Sequence, residues 1–244
     1  GASVDQARQN GCTPLYAASL IGHKEVCALL LDRGANVDQA KQNGCTPLFI
    51  ASQKGHKEVC ALLLDRGASV DQAPQNGWMP LKIASFNGHK EVCTLLLDRG
   101  ANVNNADQDG YTPLLSASQN GHKEVCALLL DRGANVDQAN QNGATPLYLA
   151  SENGHQEVCA LLLDRGASVD QAPQNGWMPL KIASLKGHKE VCALLLDRGA
   201  SVDQARQNGC TPLYAASLIG HKEVCALLLD RGANVDQAKQ NGCT

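Results

Sequence analysis

The sequence predicts an all-α solenoid of seven stacked helix pairs, and three observations predict it. A stretch that begins at Gly11 and reads GCTPLYAASLIGHKEVCALLLDRGANVDQAKQN returns at Gly44, Gly77, Gly110, Gly143, Gly176 and Gly209, always 33 residues on. A unit of that length cannot bury its own apolar face, so the copies must stack and bury it on one another. All 23 glycines fall at three positions of the unit, those of Gly11, Gly22 and Gly34, where a turn or a helix end calls for positive φ. Between those glycines lie two short segments with helical spacing of their apolar residues.

Residues 1–10 read as the tail of a preceding copy. The first helix of the pair opens at Thr13-Pro14, an N-cap followed by a residue preorganised for the first helical turn. Leu15 and Ala18 then share a face, and Gly22 ends the helix within about two turns. The second helix, HKEVCALLLDR, places Val26, Leu29 and Leu30 on one face. Glu25 near its start and Arg33 near its end suit the helix dipole, and Gly34 stops it. Residues 34–46 link to the next pair and carry an Asn-Gly turn signal. The chain is thus one array over 1–244, with partial linker segments at both ends. Neither end has a polar capping repeat, so it reads as a slice of a longer array whose open ends promote self-association. Residues 1–46 are identical to 199–244, and GASVDQAPQNGWMPLKIAS occurs at both 67–85 and 166–184. These identities, six and three repeats apart, indicate duplication of a three-repeat block.

The net charge is −3, from 21 basic and 24 acidic residues, which gives no electrostatic reason for a nucleic-acid partner. No run of about 18 apolar residues occurs, so direct membrane insertion is not expected. Of eleven cysteines, seven sit at the position of Cys27 and four at that of Cys12. Stacked helices lie about 8–10 Å apart, beyond the ~7 Å Cα limit for a disulfide. Reduced thiols in a cytoplasmic or nuclear compartment fit better. His23 and Cys27, four apart in every copy, suggest a metal pair, but zinc needs four ligands and each repeat supplies two. The plainer expectation is that His starts the second helix and Cys packs as a small apolar residue. No third residue orients a Cys-His nucleophile, and no G-x-x-x-x-G-K-[ST] loop occurs. No cofactor and no enzymatic activity are expected.

The period, the T-P-L opening and the G-H middle resemble the ankyrin repeat, over essentially the whole chain. The resemblance implies that residues 34–46 and their equivalents form projecting hairpins. It also implies that hairpin tips and first helices line a concave surface for protein partners. One departure is plain: the family's His after T-P-L is replaced by Tyr16, Phe49, Lys82, Leu115, Tyr148, Lys181 and Tyr214. Another is the loss of the capping Thr at Met79 and Met178, worth typically ~1 kcal/mol per helix.

Variation among the copies concentrates at the second, third, sixth, seventh, tenth, eleventh and thirty-first positions. All eight aromatics lie there: Trp78, Tyr111 and Trp177 at the second, Tyr16, Phe49, Tyr148 and Tyr214 at the sixth, and Phe86 at the tenth. By the resemblance they project from the accessible face as binding anchors. The plainer alternative is that the sixth-position rings only shield neighbouring hairpins. Trp78-Met79 with Lys82, and Trp177-Met178 with Lys181, break a helix-start rule beside a large aromatic, which marks them as contact points. At about 10 Å per stacked unit they are expected roughly 30 Å apart. The expected function is protein–protein recognition as an adaptor or scaffold, through Trp78, Met79, Lys82, Trp177, Met178, Lys181, Tyr16, Phe49, Tyr111, Tyr148 and Tyr214. The alternative is a structural or elastic spacer without a specific ligand. Near-perfect periodicity favours the spacer, or a partner that is itself repetitive.

Overall fold

The computed structural model describes residues 4–174, 176–204 and 210–236. The expected start of the seventh repeat at Gly209, and Cys243, lie outside them. The described residues form fourteen helices and no strand. First helices begin at the repeat's proline: α1 Pro14–Ile21, α3 Pro47–Lys54, α5 Pro80–Phe86, α7 Pro113–Gln119, α9 Pro146–Glu152, α11 Pro179–Lys186 and α13 Pro212–Ile219. Second helices follow the histidine: α2 Lys24–Asp32, α4 Lys57–Asp65, α6 Lys90–Asp98, α8 Lys123–Asp131, α10 Gln156–Asp164, α12 Lys189–Asp197 and α14 Lys222–Asp230. The chain divides into two compact units, Gly1–Ala117 with Ala127–Ala134, and Ser118–Cys126 with Asn135–Thr244.

Local chemistry explains the helix ends. Thr46 Oγ1 accepts the Phe49 N–H at 3.1 Å, and Thr13, Thr112, Thr145 and Thr211 cap their helices in the same way. Met79 and Met178 make no cap bond. Their side chains are instead buried, 6% and 2% exposed, so apolar burial offsets the lost cap. At the far end of α3, Gly55 has φ +77°, and a Cβ there would lie 2.7 Å from His89 Nδ1. Glycine is therefore required twice over, for the left-handed backbone and for the approach of the next repeat.

That approach corrects the expected role of the histidine. His89 and its equivalents stand at the N-cap position of the second helix without capping it. The ring reaches back, and His89 Nε2–H donates to the Gln53 carbonyl at 3.0 Å. His56, His155, His188 and His221 make the same bond to Leu20, Gln119, Glu152 and Leu185. Each occupies a first-helix carbonyl of the preceding pair, one of the groups a helix end leaves without an internal partner.

The expected apolar face of the second helix also needs correction. In α4 the buried residues are Val59, Cys60 and Leu63, the equivalents of Val26, Cys27 and Leu30. Leu62, the equivalent of Leu29, is half-buried. Cys27 and Cys60 are fully buried against their own first helix, Cys60 Sγ lying 3.6 Å from Ser52 Oγ. Val and Leu face the preceding pair: Val26 is 46% exposed where Val59 is 1% exposed.

The linkers are closed turns. Lys41 N–H donates to the Cys45 carbonyl at 2.9 Å and Gly44 N–H to the Lys41 carbonyl at 2.8 Å. Neighbouring linkers are tied by aspartate, as where both Asp38 carboxylate oxygens accept the Ser69 N–H. Pro74 and Pro173 have no N–H for the closing bond. There the next residue bonds backward: Gln75 N–H to the Asn43 carbonyl at 3.3 Å, and Gln174 N–H to the Asn142 carbonyl at 3.0 Å. Both proline linkers lead directly into a Trp-Met-Pro helix start.

Candidate functional site

The first Trp-Met-Lys segment is built around a buried ammonium. Lys82, one turn into α5, is only 1% exposed. Its Nζ lies 3.9 Å from the centroid of the Trp78 ring and 5.5 Å from that of Tyr111, and it pairs with Asp107 Oδ2. Burial pushes the ammonium below its ordinary pKa, and Asp107 acts to raise it again. Asp107 is itself fixed: its Oδ1 accepts the N–H groups of Asp109 and Tyr111 at 3.0 and 2.8 Å. Trp78 also meets Phe86, with ring centroids 5.4 Å apart and a 57° tilt. The indole is thus held from two sides and is half-buried.

In the second unit Lys181 is likewise 1% exposed, with Nζ 4.2 Å from the Trp177 ring. Here the positions equivalent to Asp107 and Tyr111 hold Arg206 and Cys210. Arg206 lies outside the described residues. Burial lowers the Lys181 pKa, and the counteracting influence is its hydrogen-bonding neighbour Cys210.

The sixth-position aromatics differ from expectation. Tyr16, Phe49 and Tyr148 do not project: they are 6%, 6% and 7% exposed. Tyr16, Phe49, Cys45, Ile50 and Ile83 form one buried cluster, against which Leu20, Trp78 and Phe86 pack. The hairpin covers these rings, as where Lys41 Nζ stands 5.0 Å from the Tyr16 ring centroid. Burial pushes the Tyr16 hydroxyl up to about 12. Met79, Met178, Lys82 and Lys181 are buried too. Of the expected contact residues, Trp78, Tyr111, Trp177 and Tyr214 keep partial exposure.

Sequence reasoning missed Asp107 and Lys41, although a signal was present. Both the sixth and the thirty-first positions vary among the copies, and some copies carry complementary groups there, as Tyr16 with Lys41 and Lys82 with Asp107. Asn140 Oδ1 closes its own linker as Asp107 does, accepting the N–H of Asn142 and Ala144 at 3.0 and 2.9 Å.

The His/Cys rows offer no chemistry of this kind. Burial pushes the Cys60, Cys93 and Cys126 thiols up to about 12 and those of Cys159 and Cys192 to about 11, far from the thiolate a nucleophile or metal ligand needs. Among the described residues no three His, Cys, Asp or Glu side chains gather as a metal site, and no helix is long and apolar enough to cross a membrane. On the second helices, arginine pairs with the aspartate of the preceding repeat and not with its sequence neighbour: Arg66–Asp32 and Arg99–Asp65, each at 2.8 Å. These pairs are more than a third exposed and contribute at most about 1 kcal/mol each.

The family model for ankyrin repeats (3 copies) matches residues 1–74, 38–107, 67–140, 132–206 and 167–239. No curated protein matches the chain. Among solved structures, the crystal structure of the human ASB11 ankyrin repeat domain is similar at 29% identity with a TM-score of 0.83. The match covers 91% of this chain and 99% of that one. The unbroken tiling of that family model and this structural likeness agree with the capped helix pairs and closed linkers, and the chain belongs to the ankyrin-repeat family, whose repeats generally mediate protein–protein interaction.

Proposed function

We propose that the chain is an adaptor or scaffold that binds protein partners on its hairpin and first-helix face, with Trp78, Tyr111 and Trp177 as the contact residues. The observation that carries this reading is the Trp78 ring. It is held by Lys82 on one side and Phe86 on the other, yet is only half-buried. An aromatic fixed before binding loses little side-chain entropy on complex formation, and such residues dominate interface energetics. Met79, Met178, Lys82, Lys181, Tyr16, Phe49 and Tyr148 act beneath this surface, positioning the rings and hairpins. The second-helix face, by contrast, presents charge pairs that repeat from one copy to the next, a surface with little to distinguish one partner from another.

The test compares capture of cellular partners by the wild-type chain with capture by Trp78→Ala, Trp177→Ala and a Lys57→Ala control on α4, all checked for helicity. Loss of the same partner with either tryptophan substitution, and its retention by the control, supports the reading. Capture that survives both tryptophan substitutions overturns it.

A further inference from the structure

The hairpin linkers of the first unit differ in charge where most of the repeat is constant. Arg8 and Lys41 hold the thirty-first position before the first and second helix pairs, and Pro74 holds it before the third. Asp107 holds it before the fourth and is followed by Asp109, at a position that is Asn in every other linker. Arg8 and Asp109 are exposed, and Lys41 is half-buried. Asp5 and Asp38, three residues earlier in the linkers of Arg8 and Lys41, turn their carboxylates to the N–H groups of Asn36 and Ser69 in the following linkers. Asp107 is neutralised by Lys82, which leaves Asp109 as the outstanding charge of its linker.

These charges flank one apolar patch. Lys41 Nζ stands 5.0 Å from the centroid of the Tyr16 ring, and Tyr16 belongs to the buried cluster against which Trp78 and Phe86 pack. Those two rings, 5.4 Å apart and tilted by 57°, are both half-buried. Trp78 lies over the ammonium that pairs with Asp107, and the Asp109 N–H donates to Asp107 Oδ1 at 3.0 Å. The order along the first unit is therefore a cation at Lys41, a ring pair at Trp78 and Phe86, and an anion at Asp109. Successive members stand in successive linkers or the helix starts that follow them. At about 10 Å per repeat the two charges are roughly 20 Å apart, a distance that about six residues of extended chain span.

We propose that this face of the first unit takes an extended segment of a protein partner carrying an acidic, an apolar and a basic side chain at intervals of about three residues. The acid meets Lys41, the apolar group lies on the Trp78 and Phe86 rings, and the base meets Asp109. The rings supply most of the affinity, because apolar area leaves water there. The exposed charges supply register, because a group of the wrong sign is repelled. The identical tryptophan segment of the second unit lacks this order: Asn140, Leu185 and Asn208 stand where the first unit has Lys41, Phe86 and Asp109. This chemistry rests on the reading of the face as the partner-binding surface and narrows the partner to one charge order.

The experiment titrates the full chain against fluorescein-labelled peptides of about seven residues at low ionic strength, read by fluorescence anisotropy. The matched peptide has Glu, Phe and Arg at its first, fourth and last positions, with Gly and Ser between. One control has Glu at both ends, and the other has Arg at both ends. The matched peptide is expected to bind at least about threefold more tightly than either control, the scale of one exposed charge pair. Lys41→Asn is expected to abolish its advantage over the doubly basic peptide, and Asp109→Asn its advantage over the doubly acidic one. Asn occurs at both positions in other linkers, as Asn140 and Asn43, so neither substitution disturbs the fold. No measurable binding of the matched peptide, equal binding of the three, or advantages that survive both substitutions overturn the proposal. If the peptides fail but Trp78→Ala still abolishes partner capture, the face stands and the charge order is wrong. If capture survives both tryptophan substitutions, the face itself is wrong.

Discussion

Replacing Asp107 by Asn removes one charge from a buried pair and little else. Lys82 and Asp107 have side chains only 2% and 3% exposed, so neither charge is relieved by water. The Asp107 Oδ1 that accepts the Asp109 and Tyr111 N–H groups is reproduced by an amide oxygen, as Asn140 demonstrates one repeat further on. The linker therefore stays closed and the loss is concentrated on the stranded ammonium. Removing one partner of a buried pair costs about 3–5 kcal/mol, and the Trp78 and Tyr111 faces that remain near the ammonium place the expected loss toward the lower end. The repair is also present in the chain. The next repeat holds Leu115 and Asn140 at the same two positions, so Lys82→Leu with Asp107→Asn should recover stability to within about 1 kcal/mol of wild type or better. Guanidinium melts of the four chains, followed by far-UV circular dichroism, give the double-mutant cycle. A single Asp107→Asn cost below about 0.5 kcal/mol, or single effects that simply add, refutes the account of Lys82 as a buried, paired charge.

Further outcomes follow from the same contacts. Lys181→Met should stabilise the chain at neutral pH. Burial holds the folded-state pKa below the ordinary 10.5, so the penalty is full below the lowered value and fades as pH rises to 10.5; a gap between the two midpoints that widens with pH contradicts this. Trp78→Ala should lower the midpoint by about 1–3 kcal/mol, because a half-buried indole over a buried ammonium is lost. An unchanged melt would show that the indole carries no packing weight. Gly55→Ala should cost more than Gly67→Ala: both have positive φ, but a Cβ meets the His89 ring only at Gly55 and nothing within 4 Å at Gly67. Equal costs would mean that the inter-repeat histidine contact has no weight. In the native chain at pH 8, maleimide should label half-buried Cys12 and spare Cys60, Cys93 and Cys126, whose thiols are buried and pushed up to about 12. After denaturation all eleven cysteines should react, and rapid native labelling of the Cys60 row would refute the packing described.

The fold was legible because its determinants are local. Thr13-Pro14, Gly22 and Gly34 each solve a backbone problem within their own few residues, and each recurs at a fixed step. The contact residues were less legible, because their burial is decided by a segment 25 residues away. Tyr16 is covered by the linker that carries Lys41, and Lys82 is satisfied by Asp107. Read one position at a time, a variable aromatic or lysine on a first helix looks like surface. Read as pairs, Tyr16 with Lys41 and Lys82 with Asp107 bring matched chemistries together, cation with ring and cation with anion. The histidine row was misjudged for a related reason. Its partner is a backbone carbonyl 36 residues upstream, which carries no side-chain signature.

The pairing also separates the unit of repetition from the unit of stability. The identity between the third and sixth repeats runs from Gly67 to Ser85 and from Gly166 to Ser184, then breaks inside the first helix, at Phe86 against Leu185. Every residue of the tryptophan segment is therefore shared, and every residue that completes it is not: Phe86, Asp107 and Tyr111 in one unit answer to Leu185, Arg206 and Cys210 in the other. In a solenoid, stability is set at junctions between neighbours and not within a single copy. A segment repeated without its junction keeps its helix start, its buried methionine and its buried lysine, but is followed by different neighbours. The third and sixth repeats, identical through Ser85 and Ser184, therefore meet the repeats that follow them with different residues at the same positions.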